Sequence, residues 1–373
     1  MKSKVYFLDY QSKKNDHLKY LPELLEKINP REIIKENDFT AIKLTFGEKG
    51  NFGHLKPAEV KPVVEKIKTL GAHPFVTDAN TIYVGERSDA VHHLQTASFH
   101  GFREETLGCP ILIADGLRGN SYVEVEINPV RKVSNFSNGV NLKHFKKVKI
   151  AHAIHYTDSI VFLTHFKGHE VTGFGGTLKN MGMGCGARAG KYEMHHSIVP
   201  EIVAENCTAC GLCIKWCPSS ALTLHVTLNT LHKESKIFLD KNKCTGCGEC
   251  ILTCHYGAIK LPWNESVKNC QEKIVEYAYG AVKNKNFFCI NFLQYITKYC
   301  DCYGRKEEPL IPDIGILVST DPVAIDQASV DLVNKKFGKD FFRDIFPQID
   351  WTIQLDYAEK IGLGSRKYEL ISV

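Results

Sequence analysis

Apolar positions recur along this chain with two periods, and the periods take turns. Residues 4–10 (KVYFLDY) form an apolar and aromatic run that predicts a strand. Leu18, Leu21, Leu24, Leu25 and Ile28 then fall at the spacing of one helical face. Residues 39–46 are β-rich and stop at Gly47, and residues 57–70 read as a helix closed by Gly71. A short strand is expected over 74–76, ending at Thr77-Asp78. Ser88 is the expected N-cap of a helix reaching residue 99. Residues 111–114 predict a strand before Asp115-Gly116, 120–150 further β structure with a loop, and 149–153 and 159–164 two more strands. Beyond residue 260 the pattern resumes. An amphipathic helix is expected over 266–282 and strands over 287–292 and 314–318. Asp321 then caps a helix that starts at Pro322 and runs to 333.

Strand alternating with helix predicts an α/β fold with a largely parallel sheet. In such sheets the ligand crevice lies beyond the carboxyl ends of the strands. Lys43, Asp78 and Asp115 fall at or near such ends, and Arg87 follows in the next loop. Each residue alone is as consistent with a cap or a turn as with a site. Because the alternation stops near residue 198 and restarts near 263, residues 1–197 and 263–373 are expected to form one α/β domain. Residues 198–262 would be a smaller α+β insertion, and a linear string of separate domains is the alternative.

The interruption holds eight of the chain's fourteen cysteines. Cys207, Cys210, Cys213 and Cys217 read C-x2-C-x2-C-x3-C before Pro218, and Cys244, Cys247, Cys250 and Cys254 repeat the spacing. The runs also share a Thr after the first cysteine, a Gly after the second and an Ile after the third. This is the ligand pattern of a two-cluster bacterial ferredoxin, in which the fourth cysteine of each run serves the other cluster. One [4Fe–4S] cluster is therefore expected on Cys207, Cys210, Cys213 and Cys254, the other on Cys244, Cys247, Cys250 and Cys217. Structural zinc sites use two C-x2-C pairs and do not require the fourth cysteine. The second run ends Cys254-His255, where the ferredoxin pattern has proline. Ala221-Leu222 and Ala258-Ile259 are apolar pairs expected to pack over the cysteines.

Composition narrows the setting. A hydrophobic share of 43% fits a globular chain with a large core. A net charge of +5 over 373 residues is too mild for a nucleic-acid partner, and the basic stretch 143–149 reads as solvated. No signal-peptide core and no long apolar span is present, so a cytoplasmic protein without a membrane segment is expected. Oligomeric state is not legible.

The densest remaining segment runs from His165 to Lys191, HFKGHEVTGFGGTLKNMGMGCGARAGK. Glycines at this density let backbone N–H groups approach a ligand or adopt positive φ. His165, Lys167, His169, Lys179 and Arg188 add cationic and donor groups to Gly173, Gly175 and Gly176. An anionic substrate or cofactor is expected here, bound by Lys167, Arg188 and the glycines, with His165, His169 and Lys179 as catalytic candidates. Close packing is the competing use of the glycines. His195 and His196 stand near enough to join such a pocket. Cys300 and Cys302, with Asp301 and Asp313, form a candidate thiol–carboxylate site.

Several segments together resemble the uncharacterised iron–sulfur-centre proteins called domain of unknown function 362. They are IKLTFGE (42–48), FVTDANTIYVGER (75–87), ADGLRG (114–119), THFKGHEVTGFGGTLKNMGMGC (164–185), YCDC (299–302) and DIGILVSTDPVAIDQA (313–328). The resemblance implies iron–sulfur clusters and no particular reaction. Residues 169–179 are also similar to the histidine–glycine–lysine loop of nickel-pincer lactate racemases, where the lysine carries the cofactor; this chain has one residue more before Lys179. The expected function is electron transfer to or from an anionic ligand at 165–191. A ferredoxin-type carrier docking a redox partner protein, or a non-redox isomerase-like enzyme, are the alternatives.

Overall fold

A computed structural model describes residues 2–12, 17–128, 142–195, 200–229, 232–260 and 265–373. The expected domain boundaries at 197/198 and 262/263, and His196, lie outside the described residues.

Eight strands form one sheet in the order Tyr368–Ser372, Ser3–Asp9, Gly315–Ser319, Asn286–Leu293, Ser159–His165, Phe39–Lys43, His73–Asp78, Ile111–Ile113. Every neighbouring pair is parallel except the two made by Gly315–Ser319. Strands from before and after the cysteine-rich segment thus share one sheet, and the strands within 200–260 pair among themselves. The central strands are apolar on both faces. Ile160 and Phe162 point into one core while Val161 and Leu163 point into the other. That double burial is why these strands read as continuous apolar runs. Helices His17–Glu26 and Pro57–Thr69 cover one face; Thr177–Cys185, Val267–Val282 and Pro322–Phe337 cover the other.

Local signals set several element ends. Asp321 accepts from Val323 N and Ala324 N, both at 2.9 Å, with Pro322 opening the helix as expected. The cap at the Ala90–Phe99 helix is Asp89, not Ser88; its carboxylate accepts from Val91 N and His92 N. The strand expected over 149–153 is Lys147–Ala151, paired antiparallel with Tyr122–Glu126 outside the main sheet.

The glycine-rich segment is more regular than its composition predicts. It contains a small hairpin, Lys167–His169 with Gly173–Gly175, then two helices, Thr177–Cys185 and Arg188–His195. Glycine weakens a helix by about 1 kcal/mol, but here tertiary packing requires it. A Cβ on Gly182 would lie 2.0 Å from the Ile274 carbonyl oxygen of the neighbouring helix.

Within 200–260 the two cysteine runs match in backbone as well as in sequence. Ala209 and Gly246 share positive φ (56° and 65°), as do Gly211 and Gly248 (both 74°) and Ser220 and Gly257 (51° and 66°). Each run carries a short helix, Leu212–Lys215 and Glu249–Thr253. Glu201–Ile202 pairs with Ile259–Lys260, and the hairpin Leu222–Asn229 with His232–Leu239 separates the runs. Ala221, Leu222 and Ile259 pack with Cys213 and Cys250 in one small core.

Gly182→Ala is expected to destabilise the protein by about 3 kcal/mol, because neither helix backbone can yield a whole methyl group. Gly338→Ala, whose Cβ meets open space at φ +89°, should cost only about 1–2 kcal/mol of backbone strain. Denaturant unfolding of the two variants tests this, and equal losses would show that the helix pair is loosely packed.

Candidate functional site

The sheet reverses its strand order between Phe39–Lys43 and Ser159–His165. At such a switch point the loops diverge and leave a crevice. A cavity of about 730 Å3 lies there, the size of a small-molecule site. Asn180 holds the point together. Its amide donates to Lys43 O at 3.2 Å and Leu163 O at 3.0 Å, one acceptor on each diverging strand.

Along one wall the strand-end charges are paired. Lys43 Nζ lies 2.9 Å from Asp78 Oδ1, and Arg87 reaches Asp78 Oδ2 at 3.3 Å and Glu48 Oε2 at 3.4 Å. Burial alone would raise the Asp78 carboxyl, but Lys43, His93 and Arg87 hold it well below the usual range. Arg87 also donates to Thr45 Oγ1 and the Tyr83 hydroxyl, both at 2.8 Å.

Cys300 and Cys302, either side of Asp301 in one loop, line the same cavity. Asp301 is fully buried. His165 Nδ1 lies 3.0 Å from each of its carboxylate oxygens, and Lys167 Nζ lies 3.0 Å from Oδ2. His165 and Lys167 outweigh the burial that would otherwise raise Asp301, and its carboxyl sits far below the ordinary range. Cys300 Sγ is 3.1 Å from Cys302 Sγ and accepts from Lys179 Nζ at 3.4 Å. The hydrogen bond with Cys302 lowers the Cys300 thiol, burial opposes this, and Lys179 and Lys167 lower it further, to about 5. The Cys302 thiol moves up, first through the same hydrogen bond and then through burial. Of the two thiols, Cys300 is thus the one whose ionisation is favoured. Burial would lower the Lys179 ammonium, but Cys300 and Cys302 outweigh it and hold its pKa up.

His165, Lys167, His169, Gly175, Gly176 and Lys179 all line this cavity, as do His195 and Lys191. Burial lowers His169 to about 4 and Lys191 to about 8. The His169 Nδ1 accepts from Val171 N and Thr172 N, which leaves its Nε2–H as the free donor. Two expected ligand-binding residues sit elsewhere. Gly173 is packed under Trp351, whose Cβ a Gly173 side chain would meet at 2.5 Å. Arg188 points away, bonding Glu249 Oε1 at 2.7 Å and the Thr81 carbonyl at 3.2 Å. Asp115 is buried against Asn80, and Asp313 bonds Tyr295 N at 2.6 Å; neither lines the cavity. The helix N-terminus after Gly176 is closed by Asp326, which accepts from Thr177 N at 2.7 Å and Leu178 N at 2.9 Å. Glu48, Tyr83 and Asn180 were not candidates from sequence. Glu48 and Asn180 are ordinary polar residues whose partners are distant in the chain, and Tyr83 meets Arg87 only four residues on.

The cysteine repeat abuts this site across a single helix. On Arg188–His195, Lys191 and His195 face the cavity, while Arg188 reaches Glu249 between Cys247 and Cys250, and Tyr192 packs among the cysteines. All fourteen cysteines are free thiols. Among the described residues, no three His, Cys, Asp or Glu side chains converge closely enough to hold a single metal ion. Cys217, Cys244, Cys247 and Cys250 instead line one small cavity. Burial raises the Cys213 thiol to about 11, and the neighbouring thiols that add to this are Cys254, Cys210 and Cys207. Backbone amides point at sulfur: Ala221 N to Cys217, Ala258 N to Cys254 and Ile237 N to Cys207, at 3.3, 3.3 and 3.4 Å. The fourth cysteine of each run thus lies beside the other run, Cys217 with Cys244, Cys247 and Cys250, and Cys254 near Cys213.

Fold and site define an α/β protein with a charged switch-point cavity beside a cysteine repeat. The chain belongs to the family Domain of unknown function (DUF362), whose model matches residues 40–331. No curated protein is matched. Among solved structures, a Thermotoga maritima protein is similar at 12% identity and TM-score 0.39, over 86% of this chain and 59% of that one. The lactate racemase apoprotein from Thermoanaerobacterium thermosaccharolyticum is similar at 12% identity and TM-score 0.35, over 78% and 50%. The chain thus spans half to three fifths of those proteins. Among the described residues no helix is long and apolar enough to cross a membrane.

Iodoacetamide should alkylate Cys300 at a rate that rises with pH through about 5 and is level by neutral pH, because only the thiolate reacts. Lys179→Met should move that midpoint upward by removing the counter-ion. A wild-type midpoint near the ordinary thiol value would mean that Cys300 is not ionised.

Proposed function

We propose that this chain is an iron–sulfur electron-transfer protein whose switch-point cavity takes a small anionic substrate or cofactor. Two [4Fe–4S] clusters would be held by Cys207, Cys210, Cys213 and Cys254, and by Cys244, Cys247, Cys250 and Cys217. When bound, such clusters exchange single electrons at potentials set by burial and by hydrogen bonds to sulfur. The observation that carries the proposal is the shared helix Arg188–His195, which presents Lys191 and His195 to the cavity and Arg188 and Tyr192 to the cysteine repeat. A helix is about 10 Å across, so one element separates the two centres.

The cavity's own residues divide the remaining work. Lys43, Arg87 and Lys167 are already paired with carboxylates. Lys179 and Lys191 are the cavity cations without a carboxylate in contact, and they would hold the anion. His165 spends both ring nitrogens on Asp301 and the Gln294 carbonyl. It therefore positions the loop, and the acid–base role passes to His169, which is neutral near pH 7 and keeps a free N–H.

Protein purified without oxygen should carry about eight iron and eight acid-labile sulfide per chain. Cys217→Ser should lose about half of both, because Cys217 serves the second run. Lys179→Ala should retain all the iron while losing the bound anion and any turnover. Zinc in place of iron would overturn the cluster assignment. Native mass spectra showing only chain and clusters, in wild type and Lys179→Ala alike, would leave a carrier that docks a redox partner protein.

A further inference from the structure

The six cysteines outside the repeat are not alike. Cys109, Cys185 and Cys270 are buried thiols pushed up to about 11, 11 and 12 by desolvation, and Cys289 is raised as well. These are inert core groups. Cys300 and Cys302 differ in every respect that governs thiol chemistry. They stand two positions apart in a turn closed by Tyr303 N donating to the Cys300 carbonyl at 3.1 Å. Their sulfurs are already 3.1 Å apart, and both line the cavity. Lys179 stands 3.4 Å from one of them. Asp301, between them, is clamped by His165 and Lys167, so the pair cannot swing apart without unpairing a buried carboxylate.

We propose that Cys300 and Cys302 form a two-electron dithiol centre that reduces a small disulfide bearing carboxylates. The inference deepens the reading of the cavity given above and rests on it for the ligand's charge.

The Cys300 thiolate attacks one sulfur of the substrate disulfide; a Cys300–sulfur bond forms, the substrate S–S bond breaks, and the first thiolate product leaves. Cys302 passes its proton to that product and attacks Cys300 Sγ. The mixed disulfide breaks, the second product leaves as a thiolate, and a Cys300–Cys302 disulfide remains. The substrate has gained two electrons and the enzyme pair has lost two. Two single-electron deliveries from a reduced iron–sulfur donor, with one proton for Cys302, restore the starting state.

The polarity of the pair fits this order. Cys300, the low-pKa thiol, is the attacking sulfur. Cys302 stays protonated until the mixed disulfide forms, so it resolves rather than competes. Substrate size is limited by the cavity of about 730 Å3, which admits a small molecule and not a folded protein's disulfide. Charge selection comes from Lys191 and Lys179. Lys179 also links charge to redox state, because disulfide formation removes the thiolate it was balancing. The oxidised form should therefore bind anions more tightly than the reduced form.

The test uses the full chain as purified without oxygen, reduced with a phosphine and desalted, then mixed with dithiodiglycolate or with uncharged hydroxyethyl disulfide. Acid quenching and peptide mass mapping give the state of residues 300–302, and iron is assayed on the same samples. Wild type should yield the Cys300–Cys302 disulfide, at least about tenfold faster with the dicarboxylate, the factor expected from 1.4 kcal/mol of ionic recognition. Cys302→Ser should trap half of the probe on Cys300, and Cys300→Ser should trap nothing on Cys302. Lys179→Met should slow the first step and move its pH profile upward. A pair that stays dithiol in wild type, with no adduct on Cys300 in Cys302→Ser, would overturn the proposal. If iron is present in that case, the cluster assignment still stands. If the adduct forms on protein that holds no iron, the dithiol centre stands and the cluster assignment fails.

Discussion

Asp301 carries a negative charge with none of its side chain in contact with solvent. A carboxylate in that position costs several kcal/mol unless cations meet it in good geometry. Lys167 does so and His165 Nδ1 hydrogen-bonds the same carboxylate, and each is fixed by its place in the fold. His165 is the last residue of a fully buried central strand, and Lys167 opens the hairpin that follows. The loop that carries Asp301 is thereby tied to the carboxyl edge of the sheet. Its backbone is held as well, since the Asp301 carbonyl accepts from Glu48 N at 2.9 Å. Cys300 and Cys302 face the cavity because the residue between them has nowhere else to go.

Close approach is the second constraint, and glycine supplies it. Helix Thr177–Cys185 must lie close enough to the sheet for Asn180 to bridge two strands, and close enough to Val267–Val282 for Gly182 to touch a carbonyl. At Gly176 a side chain would lie 2.5 Å from the Asp326 carboxylate. Burial raises Asp326 to about 6 although Leu178 N and Thr177 N, which donate to it, pull the other way, and the helix N-terminal amides are already satisfied. The proposed anion recognition in the cavity therefore falls to side chains, and Gly176 and Gly182 serve packing.

The α/β body also holds the cysteine repeat in register. Glu249, inside the second cysteine run, is buried and takes Arg188 at 2.7 Å and Arg118 at 3.5 Å. Arg118 in turn lies 3.6 Å from the Trp216 ring of the first run. An arginine that looked from composition like part of an anion site is instead the bolt between body and repeat. A buried pair of this kind specifies an arrangement more than it stabilises one, since removing either partner strands a charge.

What the sequence determined by itself is what neighbours in the chain decide. Strand and helix alternation, the Asp321-Pro322 helix start and the matched cysteine runs all depend on residues a few positions apart. They were legible for that reason. The cavity's position was half legible, since Lys43, Asp78 and the segment from His165 to Lys179 mark strand ends. Tertiary structure alone decided which charges remain available. Lys43 meets Asp78 across 35 residues, Arg188 meets Glu249 across 61, and His165 meets Asp301 across 136. A cation's role depends on whether a carboxylate has already claimed it, and spacing along a chain carries no record of pairings made through the fold.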